Sequence, residues 1–158
     1  VAYPELVEGL ILMDTTAAYG EEKRSAWEQR AVNAETKGME PVVPFNLPRW
    51  FSEGFIDASP DKTKDIGEIL LANDIPSYAS ACRALGTFEA RDQLHKIKCP
   101  TLIIVGAEDP ATPVAMSEQL HKNIAGSELH VLDGLRHMSA VEAPERVGGL
   151  IASFLEKL

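Results

Sequence analysis

"TLIIVGAEDP", residues 101–110, is an apolar run that ends abruptly in acid. Thr101 to Val105 form an uncharged, largely β-branched run, the right length for a buried strand and too short for a helix. Gly106 closes the run, and two carboxylates, Glu108 and Asp109, follow at once ahead of Pro110. A strand without polar alternation belongs in a parallel sheet covered on both faces, and in such sheets ligands gather beyond the carboxyl ends of the strands. Asp109 is therefore expected at a place where chemistry is done. It has a competing role, because an aspartate ahead of proline commonly opens a turn.

Downstream, strand and helix alternate. Pro113 to Ile124 is predicted as a helix with Thr112 as its N-cap and Pro113 at its first position. "ELHVL" at 128–132 is a second strand, and Pro144 to Leu158 a closing helix. Short strand–helix–strand connections imply parallel strands that all end on one edge of the sheet. Upstream, "VEGLILMD" at 7–14 suits another buried strand, and "VAYPEL" before it has the look of a frayed helix end and its exit turn. Between Thr15 and about Lys98 no strand is expected. Polar, amphipathic segments occupy that region instead: Glu21–Lys37, "PRWFSEGF" at 48–55, Lys62–Ala72 and Ser77–Ala84. Pro41, Pro44, Pro48, Pro60 and Pro76 are expected to break them into short helices.

The chain has 158 residues, 45% hydrophobic and 25% charged, which suits a folded α/β chain with one core. Its formal net charge of −9 argues against binding nucleic acid or an anionic membrane. No apolar run approaches the length of a membrane span, and no basic-then-apolar leader opens the sequence. Cys82 and Cys99 are not spaced as a redox or metal pair, so both are expected as reduced thiols in a cytoplasmic protein. Neither they nor His95, His121 and His130 have metal-ligand spacing; no metal and no cofactor is expected.

Three positions lie just past predicted strand ends: Asp14; Glu108 with Asp109; and His137 in "GLRHMS", residues 134–139. A carboxylate and an imidazole at neighbouring strand ends can meet, and together they are the acid and base of a nucleophilic triad. His137 could instead be a surface histidine beside Arg136. Asp14 competes with Asp109 as the acid, and it could also simply cap the following segment. Glu108 is expected to face solvent.

"GAEDPATP" at 106–113, "GLRHMSAVEAPERV" at 134–147 and "LIASFLEKL" at 150–158 resemble the C-terminal half of an α/β-hydrolase, particularly its enol-lactonase-like and esterase members. "YPELVEGLILMDTTA" at 3–17 is similar to the strand that follows the nucleophile helix in that family. The resemblance implies a parallel-sheet α/β fold, with residues 1–15 and 97–158 as the core portion and 16–96 as an inserted helical cap. It implies Asp109 as the orienting acid and His137 as general base of a Ser-His-Asp triad, acting on a small ester or lactone such as a 3-oxoadipate enol-lactone. It also implies that cap residues shape the substrate pocket: Trp50 and Phe51 as an aromatic pair, Arg49 or Arg83 for a substrate carboxylate, and Met138 beside the histidine. Trp50 and Phe51 have the alternative of packing within the cap, and the arginines that of being solvated.

The family's nucleophile sits in a Gly-x-Ser-x-Gly elbow. No such motif occurs here. Ser77, Ser80 and Ser139 lack the strand-to-helix setting that would make one of them a replacement. The expectation is that the serine and the first strands belong to an N-terminal half outside this chain, which alone would be inactive. Dehalogenases, epoxide hydrolases, C–C hydrolases and cofactor-free haloperoxidases share the fold, so their chemistries stay open. A different class of function is also open: a non-catalytic assembly module whose uncovered edge strand, the first, pairs with itself or with a separate N-terminal chain.

Overall fold

The computed structural model describes residues 3–158, so the first two residues of the expected "VAYPEL" helix end lie outside the described residues; Pro4–Leu6 form a single 3-10 turn. The described strands form one parallel sheet in the order β1 (Leu10–Met13), β2 (Thr101–Gly106), β3 (Ser127–Leu132). Leu10 stands level with Thr101, and Thr101 with Ser127, so the carboxyl ends of the strands share one edge. β2 is central and buried at every residue, which is why its sequence carries no polar alternation. β1 is shorter than the predicted 7–14 run. Its ladder begins where the Leu10 amide bonds the Pro100 carbonyl at 3.0 Å, and Pro100 has no N–H with which to extend the pairing upstream.

Five α-helices separate β1 from β2: α1 (Arg24–Lys37), α2 (Val42–Trp50), α3 (Glu53–Ala58), α4 (Pro60–Leu71) and α5 (Ile75–Thr87). After β2 come α6 (Val114–Asn123), α7 (Ser139–Glu142) and α8 (Pro144–Leu155). The prolines start helices more often than they stop them. Pro60 and Pro76 sit in the first turns of α4 and α5, where a missing N–H costs nothing. Pro44 and Pro48 lie within α2 itself, contrary to the expected break, Pro44 in the first turn and Pro48 inside the helix.

The chain divides into two compact units. One holds the stretch through Ala17, residues 49–52 and residues 90–158; the other holds residues 18–48 and 53–89. The division expected from sequence lay at 15/16 and 96/97, with no return of the chain at 49–52.

In the sheet-bearing unit the two faces of β2 feed two cores, as the twofold alternation of a strand requires. Leu102 and Ile104 pack with Leu132, Leu135, Val147 and Phe154 under α8. Ile103 packs with Ala17, Leu94, Leu120 and Ile124 under α6. In the helical unit α1 lies against α5, and small residues allow the approach: Ala31, Ala79 and Cys82 form a buried cluster flanked by Trp27 and Tyr78. A β-carbon on Gly86 would collide with Trp27.

Candidate active site

Asp109 and His137 meet. The His137 Nδ1 lies 2.8 Å from Asp109 Oδ2, across 28 residues of sequence. β2 delivers the aspartate and β3 the histidine, each just past its carboxyl end. Two further bonds stitch the loops, from the Ala107 amide to the Leu132 carbonyl and from the Glu108 amide to the Leu135 carbonyl. Gly106 makes this closeness possible, since a β-carbon there would overlap the Leu135 and Arg136 carbonyls.

The two oxygens of Asp109 do different work. Oδ1 accepts from the amides of Ala111, at 2.7 Å, and Thr112, at 3.0 Å. Oδ2 accepts from the Thr112 hydroxyl at 2.8 Å and faces the imidazole. Asp109 thus both braces its own turn and bonds the histidine ring. Its side chain has no exposure, whereas that of His137 keeps 21%. Burial by itself would raise the Asp109 pKa; the hydrogen bonds from His137 and from the Thr112 amide outweigh it and hold the carboxyl below its ordinary value. An ionised acceptor at this place calls for a proton on Nδ1, which leaves Nε2 as the basic nitrogen. Among the described residues Nε2 of His137 makes no hydrogen bond.

Thr112 was expected as the N-cap of α6. That helix starts at Val114 with Pro113 at the N-cap position and no side-chain cap. The buried Thr112 hydroxyl turns instead to Asp109, and it lies 3.3 Å from His137 Nδ1. The spacing Asp109-x-x-Thr112 was the available sequence signal, since an aspartate that accepts from the residue three further on is a recurrent local motif.

Asp14, the rival acid, does not touch the histidine ring. Its Oδ1 accepts from the Gly106 amide at 3.1 Å, and its Oδ2 accepts from the Ser139 amide at 3.0 Å and the Ser139 hydroxyl at 2.6 Å. Burial raises its pKa; the hydrogen bonds from Ser139 and Gly106 oppose that, and the nearby charge of Asp109 adds to it. Ser139 is fully buried and bonded to a carboxylate, unlike an exposed nucleophile. Its neighbour Glu142, which sequence reasoning did not single out, accepts from the amides of Arg136 and Ser52 and from the Ser52 hydroxyl.

Residues 49–52 account for three of the proposed substrate contacts. The Trp50 carbonyl accepts from the Met138 amide at 2.9 Å, the Phe51 carbonyl accepts from Arg136 Nη1, and Arg49 Nη2 donates to the Pro110 carbonyl at 3.0 Å. Phe51 is completely buried, so its ring serves packing; Trp50 and Met138 are half-buried. Arg83 lies in the helical unit, where its guanidinium is gripped by Glu28 and Glu35 at 2.8–3.1 Å. A guanidinium committed to two carboxylates is not waiting for a third. Glu108 is exposed, as expected. Among the described residues no group of three or more His, Cys, Asp or Glu side chains could hold a metal ion, and no helix is long and apolar enough to cross a membrane.

Residues 75–144 match the family model for serine aminopeptidases of the S33 type. Over 157 residues the chain is 34% identical to 3-oxoadipate enol-lactonase 2 of Acinetobacter baylyi, covering 99% of this chain and 58% of that protein. The crystal structure of the enol-lactonase from Burkholderia xenovorans LB400 superposes with a TM-score of 0.90 at 31% identity, over 95% of this chain and 56% of that one. A thermophilic esterase from Thermogutta terrifontis, solved with malate bound, superposes with a TM-score of 0.90 at 27% identity, over 98% and 58% of the two chains. The chain has the α/β-hydrolase fold. It is similar to the enol-lactonases, and it spans a little under three fifths of the length of these relatives.

Proposed function

We propose that this chain carries the acid and base of a Ser-His-Asp triad in an enzyme that hydrolyses a small ester or lactone, of the enol-lactonase kind, with the serine on a portion of the enzyme outside these 158 residues. The single observation that supports it most is the 2.8 Å contact between His137 Nδ1 and a fully buried, ionised Asp109. In this mechanism Asp109 keeps the proton on Nδ1, and Nε2 takes the proton of the serine as it attacks the carbonyl carbon. Asp109 stabilises the imidazolium so formed, and Nε2 returns the proton to the leaving alkoxide. Water then repeats the cycle on the acyl-enzyme. Residues 16–96 are proposed as the inserted helical cap of such an enzyme, with Trp50 and Met138 as candidates to line the substrate pocket. A cytoplasmic location, with Cys82 and Cys99 reduced, belongs to the same proposal.

The test compares four proteins on short p-nitrophenyl esters and on an enol-lactone. The 158-residue chain is expected to hydrolyse them no faster than its His137→Ala variant. The chain joined to the N-terminal portion of its own gene is expected to be active and to lose that activity on His137→Ala. A joined protein indifferent to His137 would end the triad assignment.

A further inference from the structure

His137 sits on a loop that β3 alone cannot hold in place, and the backbone amides around it show what does. The Arg136 amide donates to Glu142, the Met138 amide to the Trp50 carbonyl, and the Ser139 amide to Asp14. Of these acceptors only Asp14 also reaches the strand that carries the acid. Its other oxygen takes the amide of Gly106, three residues before Asp109, while Ser139 follows His137 by two. We propose that Asp14 is the positioning residue of this site: one carboxylate clamps the end of β2 to the histidine loop and thereby sets the imidazole against Asp109. The inference rests on His137 being the base of the proposed reaction.

The clamp requires a carboxylate specifically. Gly106 presents an N–H to one oxygen, and Ser139 presents an N–H and an O–H to the other, so both ends of the group must accept. An asparagine has one accepting end. Whichever way it turns, its amide N–H₂ confronts a backbone N–H, at Gly106 or at Ser139. The backbone at Asp14 is shaped to the task as well. Its φ of 45° lies in the left-handed region, unusual for any residue but glycine and most tolerable for Asn and Asp. Its amide continues the β1–β2 ladder by bonding the Ile104 carbonyl at 2.9 Å, so the carboxylate leaves from a fixed point. Asp14 therefore acts on the reaction through the geometry of His137 and never meets substrate.

The tautomer of His137 reports that geometry directly, needs no nucleophile, and can be read by long-range ¹H–¹⁵N NMR on the 158-residue chain at alkaline pH. With Asp14 in place the Nδ1–H form is expected to dominate. In Asp14→Asn the ring loses its fixed register with Asp109, and the Nε2–H form that free imidazole prefers is expected to become the majority. In the joined, active protein the same variant is expected to lower kcat about 10- to 100-fold with KM within about twofold, the pattern of a misplaced base. Ser139→Ala keeps Asp14 and one of its two bonds to Ser139, so it is the gentler companion should Asp14→Asn fail to fold; the tautomer balance is expected to move the same way by a smaller amount. An unchanged balance in whichever of the two variants folds overturns the proposal, whatever happens to Tm. Indifference of the joined protein to His137→Ala would instead refute the triad, and the tautomer measurement would still decide the clamp.

Discussion

Replacing Asp109 by asparagine separates its two roles by their magnitudes. Asparagine has the same shape, and its carbonyl oxygen can still accept from the amides of Ala111 and Thr112, so the turn survives. Its N–H₂ then occupies the place of Oδ2, where it faces His137 Nδ1 and the Thr112 hydroxyl. The hydroxyl can turn and accept. The imidazole must also accept, which puts its proton on Nε2 and removes the base. The stability cost is the difference between charged and neutral hydrogen bonds, about 1 kcal/mol. The activity cost in the joined protein is about 10,000-fold in kcat, as for the wrong tautomer in any Ser-His-Asp triad. Asp109→Ala reverses the emphasis by also abandoning two amides and a hydroxyl, at about 1–3 kcal/mol for each buried group left unsatisfied. Urea unfolding of the chain and initial ester-hydrolysis rates of the joined protein measure the two axes. Asp109→Asn retaining activity within about tenfold of the parent would refute the assignment of Asp109 as the orienting acid.

Thr112→Val, which removes one of the bonds to Asp109 at constant shape, is expected to destabilise the chain by about 1 kcal/mol and to bring the Asp109 carboxyl back toward its ordinary pKa; ¹³C titration of the carboxyl and urea unfolding check both. The folded-state pKa of Asp109 is depressed, so its contribution to stability is present above the unfolded value near 3.8 and is lost as pH falls through the lower folded value. Asp14 has the opposite sign, its raised pKa giving a contribution that is full below 3.8 and fades as pH rises through the folded value. Unfolding free energies measured from pH 2 to 6 should therefore show a weaker acid loss in Asp109→Asn than in the parent, and an equal loss would contradict the pairing. Arg83→Gln breaks two exposed ion pairs to Glu28 and Glu35 and is expected to change stability little and KM not at all; a raised KM in the joined protein would return Arg83 to the substrate.

Much of the site could be read along the chain because the signals were local. The uncharged run from Thr101 reported a strand buried on both faces, and the turn after it reported where that strand stops. Gly-x-x-Asp and Gly-x-x-His put both candidate groups just beyond strand ends. Pro44 was misjudged because a proline in a first turn gives up no bond, and that position is visible only once the start of the helix is known; Pro48, inside α2, has no such explanation. Thr112 was misassigned because α6 begins at Val114, one residue later than expected, which puts Pro113 at the N-cap and leaves the Thr112 hydroxyl to donate to the carboxylate three residues back.

Sequence alone determined the three described strands, the identity of β2 as the one buried on both faces, and the meeting of Asp109 with His137, because burial marks the residues of a strand and the turn after it. Tertiary structure decided the remainder. The separate duties of the two Asp109 oxygens, the bond of Asp14 to Ser139 across 125 residues and the return of residues 49–52 to the sheet-bearing unit all depend on strand register and loop path. These contacts join loops that are far apart in the chain, and a pattern of neighbouring residues does not record how such loops meet.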